Sequence, residues 1–226
     1  MRRVENVRAV LFDIDGTLLT TGGAGAAAWR LAFRDVIGID AEIEDFTEDG
    51  ITDPEVCRKT FQGVTGRTPT HAEVAALLPA YVKHLHVTVR ESEGYRVMPG
   101  VAGLLGRLSD DGVLLGVTTG NVEAAAHVKL ARARLNHFFM FGGFGSDSPD
   151  RGELTRDAIV RAGRVLGAAL SREQVLVVGD TPHDVEAARE ADAGSVAVAT
   201  GHFDRASLVA SGADHVLATL RSGFPV

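Results

Sequence analysis

The chain has 226 residues, 45% hydrophobic and 23% charged, enough apolar material for a large core. This excludes a disordered chain, a small staple-dependent fold and a fibrous repeat. Thirty Asp and Glu against 23 Lys and Arg leave a formal charge of −7, which argues against a general nucleic-acid binder but leaves room for a small phosphate pocket.

Cys57 is the single cysteine, so an intrachain disulfide is impossible and a thiolate zinc site is disfavoured. Only Lys59, Lys83 and Lys129 are lysines, so nearly all positive charge is arginine. The start MRRVENVRAVLFDID carries no signal-peptide core, and no apolar run approaches the roughly 18 residues of a membrane span. A cytoplasmic protein without a membrane partner is expected.

Taken in chain order, residues 7–12 form an almost wholly apolar run, as expected of a central strand in a parallel sheet covered on both faces. Residues 19–94 break the strand–helix rhythm. Thr20-Thr21-Gly22-Gly23 reads as a flexible turn, followed by an amphipathic helix carrying Trp29 and Phe33, which we assign to a local core. Asp53-Pro54 resembles a helix start with Asp53 as cap, and Thr70-His71-Ala72-Glu73 has capping-box spacing before a helix that Pro79 should bend or split. No strand is evident in this stretch, which is too long for an ordinary crossover. It is therefore expected to be a helical domain (19–94) inserted into an α/β domain made of 1–18 and 95–226.

Beyond it, apolar runs at 113–118, 138–141, 175–178 and 195–199 alternate with helical patterns at 101–108, 122–133, 153–166 and 185–191. Asn121 is a possible cap of the second of these helices, and Thr181 with Pro182 suits the start of the fourth. The pattern is that of a doubly wound, Rossmann-like parallel sheet, and the polar residues of interest follow the carboxyl ends of strands, where such sheets bind ligands.

Three groups carry chemistry. Asp13-Ile14-Asp15-Gly16-Thr17 places two carboxylates two residues apart, an arrangement whose repulsion something must offset. Gly179-Asp180-Thr181-Pro182-His183-Asp184 adds two more, hard oxygen donors that suit Mg²⁺. Thr118-Thr119-Gly120-Asn121 offers a hydroxyl and a backbone amide ahead of a helix, the donors a phosphate needs, with Thr119 preferred because Gly120 follows it. Each group alone also reads as an ordinary turn.

In this order, DIDGTL at 13–18, TTGN at 118–121 and GDTPHD at 179–184 resemble the haloacid dehalogenase-like hydrolase superfamily over nearly the whole chain. The likeness is to its branch with an inserted helical cap, which holds phosphoglycolate phosphatases and β-phosphoglucomutases. The resemblance implies Asp13 as nucleophile and Asp15 as acid/base. It implies a Mg²⁺ held by Asp13, the carbonyl of Asp15 and Asp180, with Asp184 in support. Gly16, Thr119, Gly120 and Asn121 would then hold phosphate.

One motif departs from the family form. The family expects a lysine before the last motif, yet residues 130–226 contain none. Arg151 is the natural replacement, with Arg156 as runner-up; arginine keeps the charge but is not equivalent to lysine. Ile51 stands where relatives commonly carry Arg or Lys in the cap, so Arg58 or Lys59 would have to reach in from the next helix. His183 sits among the acidic residues as a candidate substrate contact, while His127, His137 and His202 read as structural.

The expected activity is Mg²⁺-dependent hydrolysis of a small-molecule phosphate monoester through an aspartyl-phosphate, by a monomer or homodimer. The alternatives are a hexose-phosphate mutase of the same fold and a non-catalytic phosphate-binding relative. A phosphonate-cleaving enzyme is disfavoured by Asp15 and Ile51, and a 2-haloacid dehalogenase needs neither Asp15 nor Mg²⁺.

Overall fold

The computed structural model describes residues 6–221 and 223–226; residues 1–5 of the expected 1–18 core segment lie outside the described residues. The apolar runs form a six-stranded parallel sheet in the order β5-β4-β1-β6-β7-β8. Its strands are β1 (Ala9–Phe12), β4 (Leu114–Thr119), β5 (Gly142–Phe144), β6 (Val175–Gly179), β7 (Gly194–Val198) and β8 (His215–Leu217). Both faces are covered by α4 (Val101–Asp110), α5 (Glu123–Arg132), α6 (Arg151–Leu166), α7 (Pro182–Glu190) and α8 (Arg205–Ala210). Every residue of β1 and β6 is buried, which is why those runs are apolar rather than alternating.

Two strand expectations are corrected. The segment 138–141 is not the fifth strand: Asn136–Phe138 is a 3₁₀ turn, and β5 lies further on at Gly142–Phe144. Glycine there is required by packing, because a Cβ at Gly143 would meet the Leu154 carbonyl oxygen at 1.9 Å. Strand β8 had no recognisable run, since only one of its three residues is buried.

The segment between β1 and β4 is helical apart from a small ribbon. Strands β2 (Leu19–Thr20) and β3 (Arg96–Val97) pair antiparallel, Leu19 with Val97 and Thr20 with Arg96, outside the central sheet. They bracket α1 (Ala24–Ile37), α2 (Asp53–Thr65) and α3 (His71–Glu91). Strand β2 thus falls inside the stretch expected to be strand-free, but it joins the ribbon at the root of the insertion. Trp29 and Phe33 are buried as expected, with Trp29 stacked on Tyr81 at a centroid distance of 4.1 Å. The helical core does not stop at the ribbon, for Val122, Ala125 and Val128 of the α5 region pack into it.

Three helix details also differ. Helix α3 is not split at Pro79 but continues from His71 to Glu91. Its buried stripe Leu77, Tyr81, Leu85 and Val89 repeats every fourth residue, so tertiary packing offsets the lost backbone bond. Thr52, not Asp53, is the N-cap residue of α2, and Val122, not Asn121, precedes α5, because both acidic and amide side chains are engaged elsewhere. The Thr70–Glu73 capping box and the Thr181 cap with Pro182 in the first turn are present. No helix among the described residues is long and apolar enough to cross a membrane.

Candidate active site

The carboxyl ends of the adjacent strands β4, β1 and β6 open into a cavity of about 880 Å³ under the helical insertion. The chain turns from β1 towards β4 and β5 on one side and towards β6, β7 and β8 on the other, so the cavity lies at the topological switch point.

Asp13 follows β1 directly, its N–H donating to the Val178 carbonyl at 2.8 Å, which carries its nearly buried carboxylate to the sheet edge. The chain then turns sharply: Leu18 and Leu19 N–H both donate to the Ile14 carbonyl, and Gly16 sits at φ +79°. Only glycine serves there. A Cβ on Gly16 would meet Asp180 Oδ2 at 2.2 Å, besides the strained backbone. Thr17 at the end of the turn donates its hydroxyl to Asp180 Oδ1 at 2.8 Å and so joins the first group to the last.

Asp180 and Asp184 lie beyond β6, both buried. Oxygens of Asp13, Asp180 and Asp184 lie within 4.8 Å of one another. Asp184 is fully engaged: Thr181 donates its N–H and hydroxyl to Oδ2 at 3.0 and 2.8 Å, and Arg151 pairs with Oδ1. Asp13 and Asp180 are therefore the carboxylates left to receive a cation. Their environment says the same. Burial, then repulsion from Asp184, raises Asp13 to about 7 despite the nearby Arg151. Burial, then Asp13 and Asp184, pushes Asp180 up to about 9, partly offset by the Thr17 hydroxyl. A desolvated cluster of hard oxygen donors that resists ionisation fits a small divalent cation such as Mg²⁺.

Arg151 opens α6 and projects into this cluster, with 12% of its side chain exposed. One amino group reaches Asp13 Oδ1 at 3.3 Å and Asp184 Oδ1, while the other donates to the Gly50 carbonyl of the insertion at 3.2 Å. Its Nε has no protein partner among the described residues. Arg156 is elsewhere, donating to the Glu190 carbonyl on the outer side of α6.

Thr119 and Gly120 sit at the end of β4. The Thr119 hydroxyl accepts from the Asn121 side chain at 2.8 Å, whereas Thr118 is buried against Thr155. Asn121 also donates to Asp15 Oδ2 at 2.8 Å. The insertion presses on this loop: a Cβ on Gly120 would meet the Ile51 carbonyl oxygen at 2.6 Å.

Two residues make contacts in the site that the sequence did not predict. Lys129 on α5 is buried, and its ammonium donates to Asp15 Oδ2 and Asn121 Oδ1, both at 2.6 Å. Burial alone would lower its pKa, but the charges of Asp15 and Asp53 hold it above the ordinary lysine value. Asp53 spans from α2 to the sheet domain: its N–H donates to the Gly120 carbonyl at 2.7 Å and its carboxylate accepts the Val122 N–H at 2.8 Å. Burial raises Asp53 to about 6, with Lys129 and the Val122 N–H pulling the other way. Neither was recognisable locally, because Lys129 looks like an ordinary helix residue and Asp53 like a helix cap.

The remaining candidates divide between the cavity and its surroundings. Arg58 and Lys59 do not themselves line the cavity; Arg58 pairs with Glu55, and Lys59 with Glu48, which does line it. His183 lines the cavity, packed beneath Gly50. His202, read as structural, contacts Asp49 at 2.5 Å across the cavity mouth.

The family description haloacid dehalogenase-like hydrolase matches residues 7–192, taking in every strand-end group described above. The chain belongs to the haloacid dehalogenase-like hydrolase family. It is 26% identical over 218 residues to the phosphoglycolate phosphatase of Salmonella paratyphi A, covering 89% of this chain and 85% of that protein. It is 29% identical over 219 residues to that of Synechococcus elongatus, covering 94% and 93%. A crystal structure described as a predicted phosphoglycolate phosphatase from Haemophilus somnus superposes with a TM-score of 0.73 at 19% identity, covering 96% of both chains, a likeness of fold. This haloacid dehalogenase-like hydrolase thus shares the expected α/β architecture with that structure over 96% of its length.

Proposed function

We propose that the protein is a Mg²⁺-dependent phosphatase that hydrolyses a small-molecule phosphate monoester through an aspartyl-phosphate on Asp13. The observation that carries this reading is the meeting of Asp13 with Asp180 and Arg151 at one strand edge, opposite Thr119 and Gly120. Residues 19–94 are proposed to act as a cap over the α/β domain of 1–18 and 95–226.

Bound by Asp13, Asp180 and the Asp15 carbonyl, Mg²⁺ would screen the negative charge of nucleophile and ester. The Asp13 carboxylate attacks phosphorus, and the bond to the leaving oxygen breaks with its electron pair staying on that oxygen. Arg151, the Thr119 hydroxyl and the Gly120 amide meet the charge on the other phosphate oxygens. Asp15 gives its proton to the leaving oxygen, then accepts one from the water that cleaves the acyl-phosphate. The insertion, closed onto Gly120 through Ile51 and Asp53, keeps bulk water out.

Arg151 answers the missing lysine. It pairs with Asp13 and Asp184 as a lysine could, and its second amino group adds the bond to Gly50 of the cap.

The test is release of inorganic phosphate from a panel of esters, phosphoglycolate included because the relatives carry that activity in their names. Turnover should require Mg²⁺ after chelation and disappear in Asp13→Asn. Conversion of a sugar phosphate to its isomer without phosphate release would assign a mutase instead. No turnover of any ester would leave a phosphate-binding protein.

A further inference from the structure

We propose that Lys129 is a positioning residue for Asp15, holding one carboxylate oxygen so that the other faces the leaving group. The inference rests on the phosphatase reading above and adds to it a residue outside the family motifs.

Lys129 lies on the second turn of α5, its backbone carbonyl held by the Tyr95 hydroxyl at 2.7 Å. Its side chain is 6% exposed, whereas Asp15 is 43% exposed and lines the cavity. A buried ammonium is retained only where partners compensate its lost hydration. Here the partners are Asp15 Oδ2 and Asn121 Oδ1. Asn121 returns its own amide to the same Asp15 Oδ2 and to the Thr119 hydroxyl, so the four side chains form one closed network.

Both fixed contacts of Asp15 therefore fall on Oδ2, and Oδ1 is left for the cavity. An unrestrained aspartate would exchange its two oxygens by rotation about χ2, a soft twofold torsion. Lys129 and Asn121 remove that freedom and index Asp15 to the loop that carries Thr119. The two buried cations thus divide the site. Arg151 faces Asp13 and Asp184, while Lys129 hydrogen-bonds neither and faces Asp15 alone among the strand-end carboxylates.

Orientation of Asp15 matters only where the leaving oxygen needs a proton. An alkyl ester requires one, while p-nitrophenolate departs without it. The experiment compares kcat/KM for an alkyl ester that the wild type cleaves (phosphoglycolate or glycerol 2-phosphate) with that for p-nitrophenyl phosphate. This constant reports only events through the first phosphoryl transfer. In folded Lys129→Met, the alkyl value should fall by about 10²-fold, the scale of a general acid, while the aryl value should change by less than about five-fold. If Lys129→Met does not fold, Lys129→Gln retains a donor and should show a smaller loss with the same alkyl bias. An equal loss for both esters, or no loss for either, overturns the assignment of Lys129. Absence of wild-type turnover of both esters overturns the phosphatase reading itself and this inference with it.

Discussion

The carboxylate of Asp53 accepts the backbone N–H of Val122 at 2.8 Å, joining the first turn of α2 to the loop that follows Thr119 and Gly120. Its own N–H donates to the Gly120 carbonyl, so one residue of the insertion makes two bonds to the segment 120–122. Asp53→Ala leaves the Val122 donor without its acceptor and should cost about 1–3 kcal/mol of stability. Faster hydrogen exchange of the Val122 amide, alongside a lower Tm, would show that the loss is local to this junction. Unchanged exchange would mean that the Asp53 carboxylate does not hold this junction.

Arg151→Ala should cut turnover by about 10² or more, the cost of one preorganised donor, with the variant shown to be folded. Arg151→Lys should recover part of it, since charge survives but the fork that reaches both Asp13 and Gly50 is lost. Arg156→Ala should match the wild type because that side chain donates to a surface carbonyl. A reversed ranking of Arg151 and Arg156 would displace the cation by about one helical turn.

The metal-free protein should lose stability as pH rises. Asp13 and Asp180 stand at about 7 and about 9 when folded, against 3.8 for an ordinary aspartate, so between those values the folded state binds more protons than the unfolded one. The contribution of these two groups is then greatest below the unfolded value and declines through the folded values. Mg²⁺ competes with those protons, so its addition should raise Tm more at pH 8 than at pH 5. At a concentration about 100 times its Kd, the gain should be about 2.7 kcal/mol. Thermal denaturation in chelator and in Mg²⁺ across that range checks both signs.

Gly16→Ala should abolish the Mg²⁺-induced rise in Tm along with activity. Its Cβ would displace Asp180 from 2.2 Å, and the φ of +79° disfavours any side chain. Retention of the Mg²⁺ response would mean that the ion stays bound although Asp180 is displaced, and would count against Asp180 as a ligand.

Much of this protein is written locally. Apolar runs such as Ala9–Phe12 and Val175–Gly179 are legible because a strand covered on both faces has no polar side to show. Asp13, Asp15, Asp180 and Asp184 are legible because carboxylates clustered just past strand ends are costly unless something uses them. Tertiary structure decided what depends on partners far along the chain. Whether Pro79 breaks a helix turned on the stripe from Leu77 to Val89. Whether Arg151 or Arg156 faces the site turned on which side of α6 meets Asp184. Lys129 gave no local signal at all: a lysine on a helix is ordinarily solvated, and its worth here comes from a carboxylate 114 residues away at 2.6 Å. Asp53 likewise exchanged a helix cap for the Val122 amide, 69 residues distant. Periodicity records which side chains leave water, but the counter-charge each buried group meets is set only when the strands and the helical insertion pack together.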